Sequence, residues 1–240
     1  MIALALLLAT LPRLDAALGD AFRLVKAGRY EEGRQAARTY LAAPGAAHPG
    51  QAEFVVGLSY HQQKLYESAR ERFALAASME PGYVTARYFL GFALLNLGRL
   101  DEARTELEAY AAVDPSLPEA QFGLGLVALE QDRVGDARSA IEQAIALASK
   151  GSPPGPRTPS AVRRDLARYE ARLADAYLRD DRLEPARDAL DRSVALWPDL
   201  FEPWHKLARV RRRLGDAAGA AEAQARSDAL FKRRTGDDTP

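Results

Sequence analysis

The residues in this chain best suited to ligating a metal or shuttling a proton near neutrality are three histidines, His48, His61 and His205. None has a second ligand at metal spacing. His48 sits in the turn-rich stretch Pro44-Gly45-Ala46-Ala47-His48-Pro49-Gly50, and His61 and His205 read as helix-surface residues far apart in the chain. With no cysteine there is no thiol nucleophile, no thiolate metal site and no disulfide framework, and the redox compartment stays undetermined. Gly123-Leu124-Gly125-Leu126-Val127-Ala128 imitates a dinucleotide fingerprint. It follows no strand and falls inside a helical pattern, where its glycines serve packing rather than phosphate binding. Gly57-Leu58-Ser59-Tyr60-His61 lacks the last glycine of a nucleophile elbow and is helical too. No catalytic constellation emerges, so the sequence reads as a non-enzyme without cofactor or metal.

Charge narrows the partners. Across 240 residues, 33 Lys and Arg balance 33 Asp and Glu, which argues against a surface built to neutralise phosphates and hence against nucleic acid. The balance is uneven along the chain: residues 151–240 carry 18 basic and 15 acidic side chains, making the C-terminal part the better anion partner.

The elements that position these residues follow from a period. Ala69, Ala103 and Ala137 stand 34 residues apart, as do Ala186 and Ala220, and a longer interval between Ala137 and Ala186 accommodates an insertion. A weaker copy, Tyr30-Glu31-Glu32-Gly33, precedes them, giving six units with irregular ends. Within a unit the apolar residues recur twice at helical spacing with a break between: Phe89, Leu90, Ala93, Leu94 and Leu97, then Gly98-Arg99, then Leu100, Ala103, Leu107 and Tyr110. Each unit is therefore a helix hairpin. Gly28, Gly98 and Gly215 suit the left-handed cap that ends the first helix. Lys64, Asp132 and Asp181 stand there in the other units, which predicts either slight strain or a different cap. Small residues twelve before each marker alanine (Gly57, Gly91, Gly125, Ala174, Ala208) mark where the two helices touch. Phe73, Leu107, Ile141 and Leu190, four after it, are expected to fill the space between units. Pro81, Pro115 and Pro198 close the second helices.

At these positions the chain resembles the tetratricopeptide repeat family: Leu90-Gly91, Leu94, Gly98, Leu100, Ala103, Leu107, Tyr110 and Pro115 follow the family pattern, as do Val56-Gly57, Tyr60, Tyr66, Ala69, Phe73, Ala76 and Pro81. The resemblance covers residues 14 to about 230. It implies an all-α fold, a right-handed α-solenoid of about six helix hairpins. The family's frequent Trp at the fourth place appears only as Trp204, with Glu53, Arg87, Gln121 and Glu170 in its stead.

The resemblance also implies a concave, partner-binding face made by one side of each first helix. Carried onto this sequence, that face holds Phe54, Leu58, Tyr88, Phe92, Asn96, Phe122 and Leu126, and then Arg168, Arg172, Arg179, His205, Arg209 and Arg212. An aromatic trough running into a basic end suits a protein or peptide with apolar anchors and an acidic segment. The opposing expectation is that Tyr88, Phe92 and Phe122 pack against neighbouring helices or an N-terminal segment. The family's clamp for two carboxylates needs paired asparagines, and Asn96 is the only asparagine, so that clamp is not expected.

The function read from these features is a non-enzymatic interaction scaffold or adaptor. The alternative is a self-associating structural repeat protein of an envelope or secretion assembly. Residues 1–13 form an apolar N-terminal segment whose run Ile2–Ala9 has the length of a signal-peptide core and is too short to span a bilayer as a helix. If residues 1–9 act so, the protein is exported or periplasmic; otherwise it is cytoplasmic and the segment caps the first unit. Units one to four occupy 14–149, a Pro/Gly-rich flexible insertion 150–160, units five and six with a capping helix 161–234, and a disordered tail 235–240.

Overall fold

In the computed structural model, the described residues are 16–150 and 158–235. The apolar run at 2–9, residues 151–157 of the insertion and residues 236–240 of the tail lie outside them. The described residues form twelve helices and no strand. The chain divides into two compact units, residues 1–116 and 117–240.

The first unit holds α1 (Ala16–Lys26), α2 (Tyr30–Ala42), α3 (Pro49–Gln62), α4 (Tyr66–Met79), α5 (Thr85–Asn96) and α6 (Leu100–Val113), paired as three hairpins. The second holds α7 (Pro118–Glu130), α8 (Val134–Ser149), α9 (Pro159–Arg179), α10 (Leu183–Leu196), α11 (Phe201–Arg213) and α12 (Ala217–Thr235), paired likewise. Helix α9 starts with Pro159 in its first turn, and the Thr158 hydroxyl accepts a hydrogen bond from the Ala161 N–H at 3.2 Å, an N-cap that extends this helix toward the insertion. The final helix runs unbroken from Ala217 to Thr235, so the expected capping helix continues the second helix of unit six.

All six hairpins turn by the same device. The N–H of Arg29, Leu65, Arg99, Arg133, Arg182 or Asp216 donates to the carbonyl five residues back, at 2.8 to 3.0 Å. The residue before each donor has positive φ: Gly28, Gly98 and Gly215 at 79°, 73° and 82°, and Lys64, Asp132 and Asp181 at 62°, 57° and 56°. This is a Schellman-type cap, which requires the left-handed conformation whatever side chain is present. Of the two outcomes left open by the sequence, the three non-glycine turns keep the cap and bear the strain.

Close contact at the small residues holds each hairpin shut. A Cβ on Gly57 would lie 2.6 Å from Phe73 Cε1, one on Gly91 2.7 Å from Leu107 Cγ, and one on Gly125 2.6 Å from Ile141 Cγ1. The bulky residues thus fill the space inside their own hairpin, and Phe73 also reaches the next, its ring 5.5 Å from Phe89. The marker alanines 69, 103, 137 and 186 are fully buried. The fourth place, where the family often sets Trp, holds an ion pair between the two helices of a hairpin in three units: Glu53 with Arg72 at 3.2 Å, Arg87 with Glu106 at 2.9 Å and Glu170 with Arg192 at 2.8 Å. In the last unit Trp204 is present, its Nε1–H donating to Pro198 O at 2.8 Å.

Candidate functional site

In the first unit the expected aromatic trough is closed. Phe54 is fully buried, with ring centroids of Tyr83 and Phe89 each 5.1 Å away and of Phe73 5.6 Å away. Leu58 is fully buried, and Tyr88 and Phe92 nearly so. Tyr88 packs 4.7 Å from Phe92 and 5.2 Å from Tyr110. Asn96 alone of this set is exposed, its Nδ2 donating to Phe92 O at 2.7 Å. In the second unit Phe122 is buried with its ring 4.3 Å from Tyr169, and Leu126 is half-buried. The residues named as partner anchors, the aromatic Phe54, Tyr88, Phe92 and Phe122 and the aliphatic Leu58, are therefore packed side chains in this arrangement. The physical reason is that helical periodicity places them on one side of a helix, and adjacent helices fill the seams with ring-to-ring contacts.

The basic residues divide into engaged and unengaged. Arg168 is half-buried with its guanidinium 5.8 Å from the Phe122 ring centroid. Arg172 donates to Asp175 at 2.9 Å and lies 3.7 Å from Glu202. Arg179 donates to Leu129 O, one of the end carbonyls of α7, and stands 3.4 Å from Asp132. On α11, Lys206 bridges Asp175 and Glu202 at 2.6 and 2.8 Å, Arg211 pairs with Asp191 at 2.8 Å, and Arg213 pairs with Asp181. Arg209 and Arg212 are exposed, and neither side chain has an ion pair or hydrogen bond among the described residues. His205, also exposed, stacks on Phe201 with centroids 6.0 Å apart and planes 17° from parallel. Residues 205, 209 and 212 share one face of α11 by helical spacing. Beside them at the end of the chain, Phe231 is 46% exposed and 5.7 Å from Phe201, over whose ring Arg234 lies at 5.8 Å. The sequence reading missed this aromatic pair, because Phe201 precedes the face positions and Phe231 lies in the irregular end.

The histidines are placed apart. His48 Nδ1 is 3.1 Å from Glu80 Oε1 in a turn. His61 differs from its reading as a surface residue: its ring stands 5.5 Å from Tyr66 and 6.2 Å from Phe89, and burial pushes its pKa down to about 4. Among the described residues no group of three His, Cys, Asp or Glu side chains is placed to hold a metal ion, and no helix is long and apolar enough to cross a membrane.

With this geometry in place, comparison with known proteins defines the class. Residues 60–128 match the family described as tetratricopeptide repeat. The chain is similar to MamA residues 41 to the end from Desulfovibrio magneticus RS-1, with 23% identity and a TM-score of 0.59, over 79% of this chain and 97% of that one. It is also similar to pilF of Pseudomonas aeruginosa, with 17% identity and a TM-score of 0.69, over 94% and 92%. A third likeness, to the Cut9–Hcn1 hetero-tetramer of APC/C, has 20% identity and a TM-score of 0.74, and spans 89% of this chain but 39% of that one. A search of the curated proteins returns no match. Residues 60–128 thus carry the tetratricopeptide-repeat pattern, and the helix-hairpin fold is the one these solved structures share, a fold that generally serves as a scaffold for protein–protein interaction.

Proposed function

We propose that this protein is a non-enzymatic scaffold that holds a partner polypeptide on the faces of its first helices and fixes an acidic segment of that partner at its basic end. The observation that carries the reading is the contrast on α11: three of its cations are committed to internal carboxylates, while Arg209 and Arg212, in register with His205, are exposed and unengaged. An exposed guanidinium without a carboxylate is suited to bidentate pairing with one from outside. Arg168 and Arg172 on α9 extend the cationic row, with Leu126 and Arg179 as further accessible positions of the second unit, and Asn96 is the accessible position among those named in the first. The aromatic residues contribute as anchors only when their cover is displaced.

The test is affinity capture with mass spectrometry using the full chain, as wild type and as Arg209→Glu/Arg212→Glu with unchanged circular dichroism. A polypeptide with an acidic segment, captured by the wild type and lost by the variant, is the expected result. Equal capture by both removes the basic face as the site.

Self-association is a second reading, favoured by one observation: Phe231 leaves nearly half its surface exposed beside Phe201 on the last hairpin. Such an apolar end can stack on another copy. Light scattering over a concentration series decides it: Phe231→Asp should lower the mass of any assembly, and a concentration-independent monomer for the wild type contradicts this reading.

A further inference from the structure

Between α9 and α11, four side chains of the basic end form a closed set of charges. Asp175 accepts from Arg172 Nη1 on Oδ2 at 2.9 Å and from Lys206 Nζ on Oδ1 at 2.6 Å. Glu202 completes the set through one oxygen, its Oε1 lying 2.8 Å from Lys206 Nζ and 3.7 Å from Arg172 Nη1. Two cations thus share two carboxylates, and their charges cancel. The two acids are not equivalent. Asp175 accepts hydrogen bonds from both cations and its side chain is 19% exposed, as is that of Lys206, so it forms the floor. The Glu202 side chain is 56% exposed, and its distance from Arg172 is too long for a hydrogen bond. It forms the cover. Glu202 is stable there because it lies in the first turn of α11, where the helix dipole favours a carboxylate, and Lys206 follows at the spacing that pairs a glutamate with a lysine on one helix face. Arg209 and then Arg212 continue along α11 in steps of about one turn, roughly 5 Å each. In the row Arg168, Arg172, Lys206, Arg209 and Arg212, positive charge is therefore cancelled from within at Arg172 and Lys206.

We propose that Glu202 is an internal stand-in for a partner carboxylate, and that an acidic segment bound at this end displaces it from Lys206 and Arg172. The location of that segment rests on the scaffold reading above. Displacement desolvates little, because Glu202 swings into solvent that already reaches more than half of its side chain. The incoming carboxylate meets two cations held in place by Asp175, ready to donate charge-assisted hydrogen bonds. A tethered carboxylate competes at high effective concentration, so Glu202 outcompetes a lone external acid. A run of glutamates already held by Arg209 and Arg212 brings its next carboxylate to Lys206 as an intramolecular step, which overcomes that advantage. The partner chemistry that fits is a run of consecutive acidic residues, and Glu202 sets how tightly that run is held.

Fluorescence anisotropy of the full chain with a fluorescein-labelled hexaglutamate peptide tests this, in proteins with unchanged circular dichroism. The variants are Glu202→Gln, Glu202→Gln/Arg172→Gln, Arg209→Glu/Arg212→Glu, and Glu222→Gln, which removes an exposed acid of α12 and so controls for net charge. Glu202→Gln should bind about 10-fold more tightly than wild type, and the gain should vanish once Arg172→Gln is added. Glu222→Gln should match wild type within about twofold. No gain in Glu202→Gln, an equal gain in Glu222→Gln, or a gain that survives Arg172→Gln overturns the proposal. The scaffold reading is tested separately by Arg209→Glu/Arg212→Glu. Loss of binding there without a gain in Glu202→Gln overturns the displacement alone, whereas a gain in Glu202→Gln with no effect of the double reversal contradicts the Arg209 and Arg212 assignment alone. Absence of binding in every protein overturns both.

Discussion

Lys64 is held at a φ of 62° in a turn that Gly28, Gly98 and Gly215 make without a Cβ to accommodate. Lys64→Gly should therefore stabilise the protein by about 0.5–1 kcal/mol, because relief of left-handed strain exceeds the extra chain entropy of glycine. Urea denaturation checks this, and a lower midpoint would mean that the turn is not strained by its side chain. His61 gives a pH signature. Its folded pKa of about 4 lies below the ordinary 6.5, so between these values the unfolded chain binds the proton first. The contribution is full above about pH 6.5 and is lost as pH falls toward 4, by at most about 3 kcal/mol. His61→Phe should flatten that part of the stability profile, and identical slopes in both proteins would contradict a buried neutral imidazole. The sequence placed His61 on the surface face of its helix by spacing alone. It did not show that this face is covered, since periodicity orients a side chain without saying what lies against it.

At the scale of the helix, the hairpin contact was legible in advance and the ion pairs were not. Gly125 and Ile141 repeat at positions set by the period, and the structure presses them together. Gly125→Val should cost about 1–3 kcal/mol through overpacking, and Ile141→Ala alone about 2–5 kcal/mol. The double variant should cost clearly less than the sum, because the new methyls enter the vacated space. Thermal melts of the four proteins measure this, and strict additivity would separate the two sites. The charged residues at the fourth place looked like departures from the family pattern. They are instead joined to the second helix by Glu53–Arg72, Arg87–Glu106 and Glu170–Arg192. Two of the pairs are 19 residues apart and the third 22, and the first helix supplies the acid in two and the base in one, so no single residue type at a single spacing announced them. The turns fall between the two cases: the sequence located all six, and only the structure showed that Lys64, Asp132 and Asp181 keep the left-handed cap rather than exchanging it for another.

Across the whole molecule, balanced charge goes with an uneven distribution, residues 151–240 carrying 18 basic against 15 acidic side chains. The repeat period revealed the architecture because it recurs, whereas the proposed binding face had to be carried over from a resemblance and then divided by burial. Its aromatic members are packed in, and most of its cations are engaged, leaving Arg209 and Arg212 as exposed, unengaged cations beside His205, which stacks on Phe201. The measurement that bears most directly on the scaffold claim is a calorimetric titration of the full chain with a peptide carrying apolar anchors and a run of glutamates, set against the same peptide with glutamines. The acidic peptide should bind at least about 10-fold more tightly, a difference of roughly 1.4 kcal/mol, with an advantage that falls as salt rises and disappears in Arg209→Glu/Arg212→Glu. Equal affinity for the two peptides, or an advantage that survives the charge reversal, would contradict the account.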